Sequence, residues 1–430
     1  MTPATSQALN LDAAISAKRK FRSYGSFKAC PIPFVPRVPS HWRVEKLKHV
    51  ASVRFSSVDK KSEEDEAIVR LCNYTDVYNR DVILDDPDFM QATATVSEIK
   101  KFTLCKGDVL ITKDSEEWND IAVPAYVAQD LPGVLCGYHL ALIRPNPTEI
   151  DGAFLSRAFA ADGIRQQFHV AANGITRYGL PNHAIASALF PVPPLDEQRA
   201  IAAFLDRETA KIDALIDMKQ RMITLLQEEQ HSLICHVVTG EHSQSQSGTW
   251  SNLPIGKAIK LQRGFDITGA AHGEGKYPVI SSGGLTGYCE RPMVKGPGVI
   301  VGRKGTLGTV HYSDADYWPH DTTLWVKEFR GNNRRFVYYV LIQMNLKRFD
   351  VGAANPTVNR NHVHPTIIRW PDLETQRRIV AYLDLRMRQF DQLIERISVA
   401  IPKLIQLRAA LISAAVAGHI EVRQNGKEAT

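Results

Sequence analysis

Segment 302–306, with the sequence GRKGT, combines residue types that suit recognition of a nucleic acid. It follows a predicted strand and places two cations between flexible glycines, so the backbone and Arg303 could come close to a DNA groove. There, arginine pairs with O6 and N7 of guanine. Segment 281–288 offers hydroxyl groups and mobile backbone nearby in sequence, and the first half of the chain has comparable positions. The candidates for DNA contact are Asn73, Tyr74, Lys113, Ser281, Ser282, Arg303 and Lys304. The alternative is that these residues are ordinary surface turns and cations.

No catalytic constellation accompanies these candidates. The sequence has no G-x-x-x-x-G-K-[ST] phosphate loop and no serine nucleophile elbow. Segments 85–89 and 355–357 resemble adenine-methyltransferase motifs but lack the second proline and the following aromatic that would hold a flipped base, so we interpret both as turns. The histidines, such as His183 and His320, have no spacing typical of a metal site. We therefore predict no catalytic residue and no metal in this chain.

Length and composition limit the class of protein. The 430 residues are enough for two or three domains, the apolar content of 44% is that of a globular protein, and the formal charge of +6 permits nucleic-acid binding without demonstrating it. The six cysteines form no C-x-x-C pair and no cluster with zinc spacing, so we expect reduced thiols. Residues 1–10 show no signal peptide, and no apolar run approaches the length of a membrane span. We expect a cytoplasmic protein without a membrane segment.

A long helix that the sequence contains twice must position the candidate residues. Segments 193–240 and 371–418 align without a gap, with Gly240 opposite Gly418. Each begins at a proline, carries carboxylates in its first turn, where they favour the positive end of the helix dipole, and ends at a glycine. A helix of about 40 residues is roughly 60 Å long. One such helix cannot bury its apolar stripe alone, whereas two equivalent helices can bury each other's stripes.

The apolar residues of both copies recur at three- and four-residue steps, which predicts a heptad-like seam on each helix. In the first copy the seam consists of Ile201, Leu205, Ile212, Leu215, Met222, Leu226, Leu233 and Val237. In the second copy it consists of Ile379, Leu383, Phe390, Leu393, Ile397, Leu404, Leu407 and Leu411. Pro402 lies inside the second copy. Because an interior proline costs about 3 kcal/mol, we predict a bend or a split at residues 401–403, with no counterpart at Thr224.

Both copies begin with the motif Q-R-x-I-x-A-(F/Y)-L-D, at residues 198–206 and 376–384. Helices of this length are well beyond the usual range, and two with one starting motif indicate a repeat; the alternative is a pair of ordinary core helices. The residues assigned to the helix frame and to partner binding are Gln198, Arg199, Ile201, Leu205, Gln376, Arg377, Ile379 and Leu383.

The rest of the chain is rich in predicted strands and is repeated more weakly. Strands are predicted at 67–73, 108–112 and 140–144 and again at 277–281, 299–302 and 323–326, with helices at 154–168 and 336–349. Segments 106–113, 137–142 and 170–173 resemble 298–303, 320–324 and 351–355. An arm with a basic cluster at 18–22 is expected to pack poorly. We predict an α+β chain with these parts: basic arm, 1–35; first globular domain, 36–192; first long helix, 193–240; linker, 241–249; second globular domain, 250–370; second long helix, 371–418; tail, 419–430.

On these motifs the chain resembles the specificity subunit of type I restriction–modification systems. The resemblance is carried by the sequence PSHW at 39–42, by Pro193-x-x-x-Glu197-Gln198-Arg199-x-Ile201 at the start of the first helix, and by the repetition of both parts. Segments 277–281 and 302–305 match the second target-recognition domain of such subunits. Two departures, Thr375 in place of a glutamate and Pro402, concern the start and the straightness of the second helix.

The resemblance implies two mixed α/β target-recognition domains, each reading half of a bipartite site in double-stranded DNA. It implies that the two long helices form an antiparallel coiled coil with pseudo-two-fold symmetry, which sets the spacing and docks two methyltransferase subunits. Restriction (motor-nuclease) subunits join in a restriction enzyme. S-adenosylmethionine, ATP and Mg²⁺ are then expected on partner subunits, and this chain is expected to hold no cofactor and to catalyse nothing. The alternatives are an enzyme with an unrecognised site and a protein-binding scaffold with a coiled-coil frame and no role on DNA.

Overall fold

The computed structural model describes residues 21–245, 248–267, 275–350 and 356–422. The chain divides into two compact units: unit 1 contains Met1–Asp217 and Ala400–Thr430, and unit 2 contains Met218–Val399. Each unit therefore combines one globular domain with the start of the long helix that follows it and the end of the other long helix.

Unit 1 contains two main sheets, and helices pack on both of them. Its strands are β1 (Phe27–Ala29), β2 (Arg37–Pro39), β3 (Arg43–Lys46), β4 (Ala51–Phe55), β5 (Ala67–Cys72), β6 (Val82–Ile83), β7 (Met90–Ala94), β8 (Thr103–Leu104), β9 (Val109–Thr112), β10 (Asp114–Ser115), β11 (Pro124–Val127), β12 (Leu131–Cys136), β13 (Leu140–Pro145), β14 (Asn173–Gly174), β15 (Tyr178–Gly179) and β16 (Leu189–Val192). Its short helices are α1 (Leu47–Val50), α2 (Tyr74–Tyr78), α3 (Val96–Phe102), α4 (Gly152–Ala160), α5 (Asp162–Ala171) and α6 (Asn182–Ser187). The strand orders are β4-β13-β9-β11-β6 and β7-β5-β12-β8.

The first long helix, α7 (Leu195–Val238), leads from unit 1 into unit 2. The strands of unit 2 are β17 (Trp250–Pro254), β18 (Lys260–Arg263), β19 (Tyr277–Ser281), β20 (Gly284–Cys289), β21 (Gly298–Gly302), β22 (Val310–Ser313), β23 (Trp318–Pro319), β24 (Thr323–Glu328) and β25 (Ile367–Pro371). The remaining helices are α8 (Ile255–Ala258), α9 (Arg334–Gln343), α10 (Arg360–Val363) and the second long helix α11 (Leu373–Val416). The main sheets have the orders β18-β24-β21-β22 and β20-β19-β23.

The two domains repeat one topology. The order β4-β13-β9-β11 in unit 1 matches β18-β24-β21-β22 in unit 2, and the second sheet of each unit contains one parallel pair, β5 with β12 and β19 with β23. A helix, α4 or α9, packs on the strand that is central to each larger sheet. The strands that the sequence predicts at 108–112 and 299–302 occupy this central position as β9 and β21, in which every residue is buried as expected of a strand covered on both faces.

The long helices run antiparallel within each unit. In unit 1, Trp42 contacts Glu197 in the first turn of α7 and Gly418 just after α11, and further along the helices Arg408 Nε donates to Asp213 at 2.9 Å. Residue numbers therefore rise along α7 in the direction in which they fall along α11.

Unit 2 has the same arrangement. The rings of His242, just after α7, and Tyr382, early in α11, have centroids 5.2 Å apart. Gln230 Nε2 donates to Asp391 at 2.9 Å, earlier on α7 and later on α11. The predicted pairing of the two helices is therefore present in both units.

Most of the predicted seam is buried, but three members in the middle of the helices are not. Ile201, Leu205, Ile379 and Leu383 are fully buried where the helix starts pack on a domain. In contrast, 40% of Leu215, 45% of Met222 and 38% of Leu393 is exposed, so their assignment to a buried seam is wrong. A helix gains a wide buried stripe only where more than one element covers it, and both ends of each helix have a domain as well as the other helix.

The glutamine of the repeated motif fastens each long helix to its domain. Gln198 Oε1 accepts from Asp151 N at 2.7 Å, and its Nε2 donates to the carbonyl oxygens of Pro193 (2.8 Å) and Glu149 (3.1 Å). Asp151 is the N-cap of α4, since its carboxylate accepts from Phe154 N at 3.0 Å. One buried amide thus satisfies groups at the starts of two helices.

Gln376 makes the equivalent contacts in unit 2. Its Oε1 accepts from Asn333 N at 2.9 Å, where Asn333 is the N-cap of α9, and its Nε2 donates to Pro371 O at 3.0 Å and Asn332 Oδ1 at 2.9 Å. Both glutamines are almost fully buried. We call this arrangement the glutamine clamp of each unit.

Three predicted elements differ from the structure. The helix predicted at 154–168 is broken into α4 and α5 because Ala161 is extended, and the one predicted at 336–349 ends at Gln343, before Asn345 with a φ of +44°. The split predicted at 401–403 is wrong, since α11 continues through Pro402. A bend there stays a prediction. The hydroxyl of Thr224, at the aligned position of α7, donates to Gln220 O at 3.3 Å, a contact that often bends helices.

The arm predicted to pack poorly is well packed where it is described. Ile32 and Val35 are buried in the core of unit 1, and β1 pairs with β2, because this segment supplies apolar side chains between its prolines. The basic residues 18–20 and segment 351–355, which was matched with 170–173, lie outside the described residues.

The expectation that no apolar run approaches membrane-span length is also corrected. One helix, Leu373–Val416, is long enough to span a membrane and contains an 18-residue window with a mean hydropathy of 1.6. A single such helix is weak evidence of a membrane segment, because core helices pass the same test. Leu411, Ile412 and Ala415 near the end of α11 are buried in the core of unit 1, which accounts for apolar residues there.

Candidate nucleic-acid interface

In unit 1, chain segments that leave both sheets come together at one end. Gly137 N donates to Cys72 O at 2.9 Å, and Lys113 N donates to His139 O at 3.2 Å. The turns that follow β5, β9 and β12 are therefore adjacent. We call the residues at this place strand-end site 1: Phe55, Asn73, Tyr74, Lys113, Tyr138 and His139.

Unit 2 makes the same junction. His320 N donates to Ile280 O at 2.9 Å, and Arg303 N donates to Thr322 O at 2.8 Å, so the turns after β19, β21 and β23 meet. Strand-end site 2 consists of the residues at this place: Arg263, Ser281, Ser282, Arg303, Asp321 and Thr322.

Strand register makes the two sites comparable position by position. Thr112 pairs with Leu140, and Gly302 pairs with Thr323. Lys113, which follows β9, and Arg303, which follows β21, therefore occupy equivalent positions. The hydrogen bonds to Cys72 O and Ile280 O are equivalent as well, so Asn73 corresponds to Ser281 and Tyr74 corresponds to Ser282. The sequence predicted both correspondences, and the structure brings all six of these residues to the two strand-end sites. Whether they contact DNA stays a prediction.

Glycines and a buried serine shape the loop of site 2. A Cβ on Gly302 would lie 2.4 Å from Thr309 Oγ1, and Gly305 has a φ of +72°, a conformation that favours glycine. Ser282 O accepts from Thr309 Oγ1 at 2.5 Å, and only 7% of Ser282 is exposed. Ser282 therefore supports the loop from within, whereas Lys304 is exposed at its tip.

Two arginines meet at Asp321 in site 2. Arg263 Nη2 donates to the Asp321 carboxylate at 2.9 Å, and Arg303 Nε lies 3.4 Å from the Asp321 carbonyl oxygen. Burial and then the neighbouring Arg263 cation lower the pKa of Arg303. Two guanidinium groups thus lie beside one aspartate, and only that of Arg263 is paired with its carboxylate. This leaves the place with positive charge and favours an acceptor-rich or anionic ligand.

Site 1 encloses its cation instead. The Lys113 ammonium lies 4.7 Å from the ring centroid of Tyr138 and 5.6 Å from that of Phe55, and 3.0 Å from the Asp114 carboxylate. Only 11% of the Lys113 side chain is exposed. The lysine is thus held by aromatic faces and a carboxylate of its own domain.

The Asp114 carboxylate is also close to His139 Nδ1, at 2.9 Å. Burial raises the pKa of Asp114, but hydrogen bonds from His139 and Lys113 outweigh it, so the pKa lies below its ordinary value. The carboxylate is therefore charged and paired near neutral pH.

Asn73 and Tyr74 begin α2 at the surface of site 1. Asp76 accepts from Asn73 N at 2.7 Å, and Asn73 Oδ1 lies where a Cβ on Gly137 would come within 2.9 Å. The ring of Tyr74 stacks on Tyr78 with centroids 5.5 Å apart. A hydrogen bond to Asp120 raises the pKa of Tyr78 to about 12, so this part of site 1 offers neutral phenols and an amide.

Sequence reasoning did not include Phe55, Tyr138, Arg263 and Asp321 among the candidates. Phe55 pairs with Ala141, and Arg263 pairs with Leu324, the second residue of the equivalent strand, so both take the same place in their sheets. These residues can be identified as part of the sites only once it is known which strands pair, and the paired strands are distant in sequence. The repeat alignment gave one weak signal, since it already matched segment 137–142 with the region around 320–324.

The assigned frame residues fall into two groups. The two clamp glutamines, Ile201, Leu205, Ile379 and Leu383 are buried within their own unit, whereas Arg199 and Arg377 are exposed. Of the eight assigned residues, the two arginines are thus the ones that a partner could reach.

In the part of the chain that the structure describes, no group of three or more His, Cys, Asp or Glu side chains is arranged to hold a metal ion. The fold is a tandem repeat of one mixed α/β domain followed by one long helix, with equivalent strand-end sites in the two units.

Comparisons with known proteins identify the family. The family model for the type I restriction modification DNA specificity domain matches residues 39–224 and 255–403, which is more than half of the chain. The chain therefore belongs to the type I restriction–modification DNA specificity family. The putative type I restriction enzyme MjaX specificity subunit of Methanocaldococcus jannaschii is 21% identical over 392 residues, covering 84% of this chain and 89% of that protein. The EcoprrI specificity subunit of Escherichia coli is 25% identical over 150 residues, covering 34% of this chain and 36% of its own.

Two solved structures share the fold. One, from work titled as the structural basis of complex assembly and conformational transition of the type I R-M system, has a TM-score of 0.70 at 17% identity and covers 89% of this chain and 99% of its own. The HsdS subunit of Thermoanaerobacter tengcongensis has a TM-score of 0.52 at 18% identity and covers 89% and 98%. The expected fold, two mixed α/β domains with long paired helices, is confirmed.

Proposed function

We propose that strand-end sites 1 and 2 each read one half of a bipartite site in double-stranded DNA. The observation that carries this proposal is the occurrence of two topologically equivalent sites with different side chains in one chain. Equivalent positions suit the same ligand class, and different side chains suit different base sequences. Base-edge contacts would specify the sequence, while exposed cations such as Lys304 would hold phosphates and make the affinity salt-dependent.

The long helices would serve as the frame on which partners assemble. Two methyltransferase subunits, which would bind S-adenosylmethionine and methylate adenine N6, would dock on this frame, and restriction subunits with ATP and Mg²⁺ would join a restriction enzyme. The exposed Arg199 and Arg377 at the two equivalent helix starts support two equivalent docking places. In this proposal the chain itself catalyses nothing, holds no cofactor and works in the cytoplasm.

Mapping methylated adenines in a host genome by single-molecule sequencing tests the proposal. A bipartite motif is expected, and replacing the domain of unit 2 by that of a relative should change one half of the motif and leave the other. Changes in both halves, or none, would contradict separate reading. Methyl transfer by the purified chain with S-adenosylmethionine alone would instead support an enzyme, and DNA association without any salt dependence would favour the scaffold alternative.

A further inference from the structure

The Asp321 side chain and backbone hold two arginines in strand-end site 2. The carboxylate accepts from Arg263 Nη2, and the carbonyl oxygen lies 3.4 Å from Arg303 Nε. Neither Nη group of Arg303 donates a hydrogen bond within the described part of the chain. A guanidinium fixed through Nε leaves its two Nη groups as a planar fork, the geometry that pairs with two neighbouring acceptors.

The position of Arg303 favours a base over a phosphate as its ligand. Arg303 is partly buried and its backbone N is bonded to Thr322 O, whereas Lys304, next in sequence, is exposed. Phosphates are reached well by exposed, flexible cations, while discrimination between bases needs donors held in place.

Site 1 cannot offer the same fork. At the place of Arg263 it has Phe55, and at the place of Asp321 it has Tyr138, with the Lys113 ammonium between their rings. The exchange of the Arg263–Asp321 pair for two aromatic residues removes the carboxylate, and Lys113 in place of Arg303 removes the planar fork.

We propose that the half-site read by unit 2 contains a guanine whose O6 and N7 accept from Arg303, with Arg263 and Asp321 as positioning residues that orient its guanidinium. This inference rests on the proposed function. Lys113 does not read a guanine in the other half-site, because its ammonium is enclosed within unit 1.

The test uses the complex of this chain with its methyltransferase subunits and duplexes carrying the mapped motif. Each guanine of the unit 2 half-site is replaced in turn by 7-deazaguanine, which lacks the N7 acceptor. One replacement should weaken binding by roughly fivefold, the lower end of the range for a bidentate arginine–guanine pair, because the O6 acceptor remains. Unchanged affinity at every guanine, or a unit 2 half-site without guanine, would overturn the inference.

Variants sharpen the same test. Arg303→Met keeps an unbranched apolar stem and loses every guanidinium donor, so it should weaken binding to the normal duplex and abolish the further loss caused by 7-deazaguanine. Asp321→Asn should reduce the preference for guanine over 7-deazaguanine. Lys257→Ala, which removes an exposed cation of α8, the helix that precedes β18, serves as the control and should leave the preference intact. Equal sensitivity to 7-deazaguanine in Arg303→Met and the parent would sink the assignment.

Failure of the inference and failure of the proposed function give different results. A complex that binds one motif specifically but ignores 7-deazaguanine removes the role of Arg303 alone. A complex without any sequence preference removes the proposed function, and with it the inference. The measurement with 7-deazaguanine needs no variant, so it stands even where Arg303→Met fails to fold.

Discussion

The two units differ least where the long helices attach and most at the strand-end sites. The clamp glutamines Gln198 and Gln376 share two kinds of partner, a helix N-cap amide and the carbonyl before the long helix. At the strand ends, Phe55 and Tyr138 in one unit replace Arg263 and Asp321 in the other. The shared contacts support one frame in both units, whereas the exchanged residues change charge, polarity and hydrogen-bond donors. Because the clamp glutamines and the strand-end residues are different positions, the residues of a strand-end site can change without disturbing the attachment of the long helices.

Removing the clamp tests whether the attachment is equal in both units. Gln198→Ala and Gln376→Ala each leave a buried amide and carbonyl groups without partners, and each should cost about 3 kcal/mol of local stability. Hydrogen exchange at the amides of α4 and α9 should report the loss separately for each unit. Arg199→Ala, at the exposed neighbouring position, should leave exchange unchanged. A loss confined to one unit would show that the clamps are not equivalent.

Giving site 2 the residue of site 1 tests the difference between the sites. Arg263→Phe should weaken specific DNA binding by the complex about tenfold, because it removes a cation and releases the Asp321 carboxylate, which is then free to repel DNA. Competition binding with the mapped duplex measures the loss. The reciprocal Phe55→Arg should not strengthen binding, since Tyr138 offers no carboxylate to hold the new guanidinium. A tenfold gain in that variant would contradict the view that the pair acts together.

The pairing of Asp114 predicts a pH dependence in unit 1. Since its folded-state pKa is lowered, Asp114 stabilises unit 1 above its unfolded pKa of about 3.9, and this contribution is lost as the pH falls through the lower folded value. Asp114→Asn should therefore be less stable than the parent at pH 7, and the difference should shrink below pH 4. Urea unfolding followed by circular dichroism at both pH values measures it, with the exposed Glu64→Gln as control. A difference that grows in acid would have the wrong sign.

The smallest expected effect compares two lysines. Lys304→Ala should reduce the slope of log affinity against log salt concentration by about 1, as expected for one lost phosphate contact. Lys113→Ala should leave the slope unchanged, because its ammonium is already paired with Asp114 and covered by Tyr138. Titrations of the complex with DNA at several salt concentrations separate the two. An equal reduction of the slope in both variants would mean that Lys113 also contacts a phosphate when DNA is bound.

Sequence reasoning succeeded where signals are local or repeated. The helix ends follow from prolines, glycines and a motif written twice, and the positions of Lys113 and Arg303 follow from a cation placed directly after a buried strand. Leu215, Met222 and Leu393 were misplaced because periodicity reports an apolar stripe but not what covers it. Phe55 and Arg263 were missed because their neighbours come from strand pairing across more than 60 residues of sequence.

The contact of Gly418 with Pro39 and Trp42 has a consequence for how such a chain can be divided. Unit 1 is completed by a helix end encoded far from the rest of it, and in unit 2 the end of α7 packs on the domain in the same way, with Gly240 against Trp250. A fragment cut at the linker after α7 would expose the apolar surface of unit 1 that the end of α11 covers, and it would leave the apolar end of α7 without a domain to pack on. Two identical fragments could satisfy both needs by exchanging those ends, so a half-length ancestor that worked as a symmetric dimer could become this chain by gene fusion, without inventing a new contact.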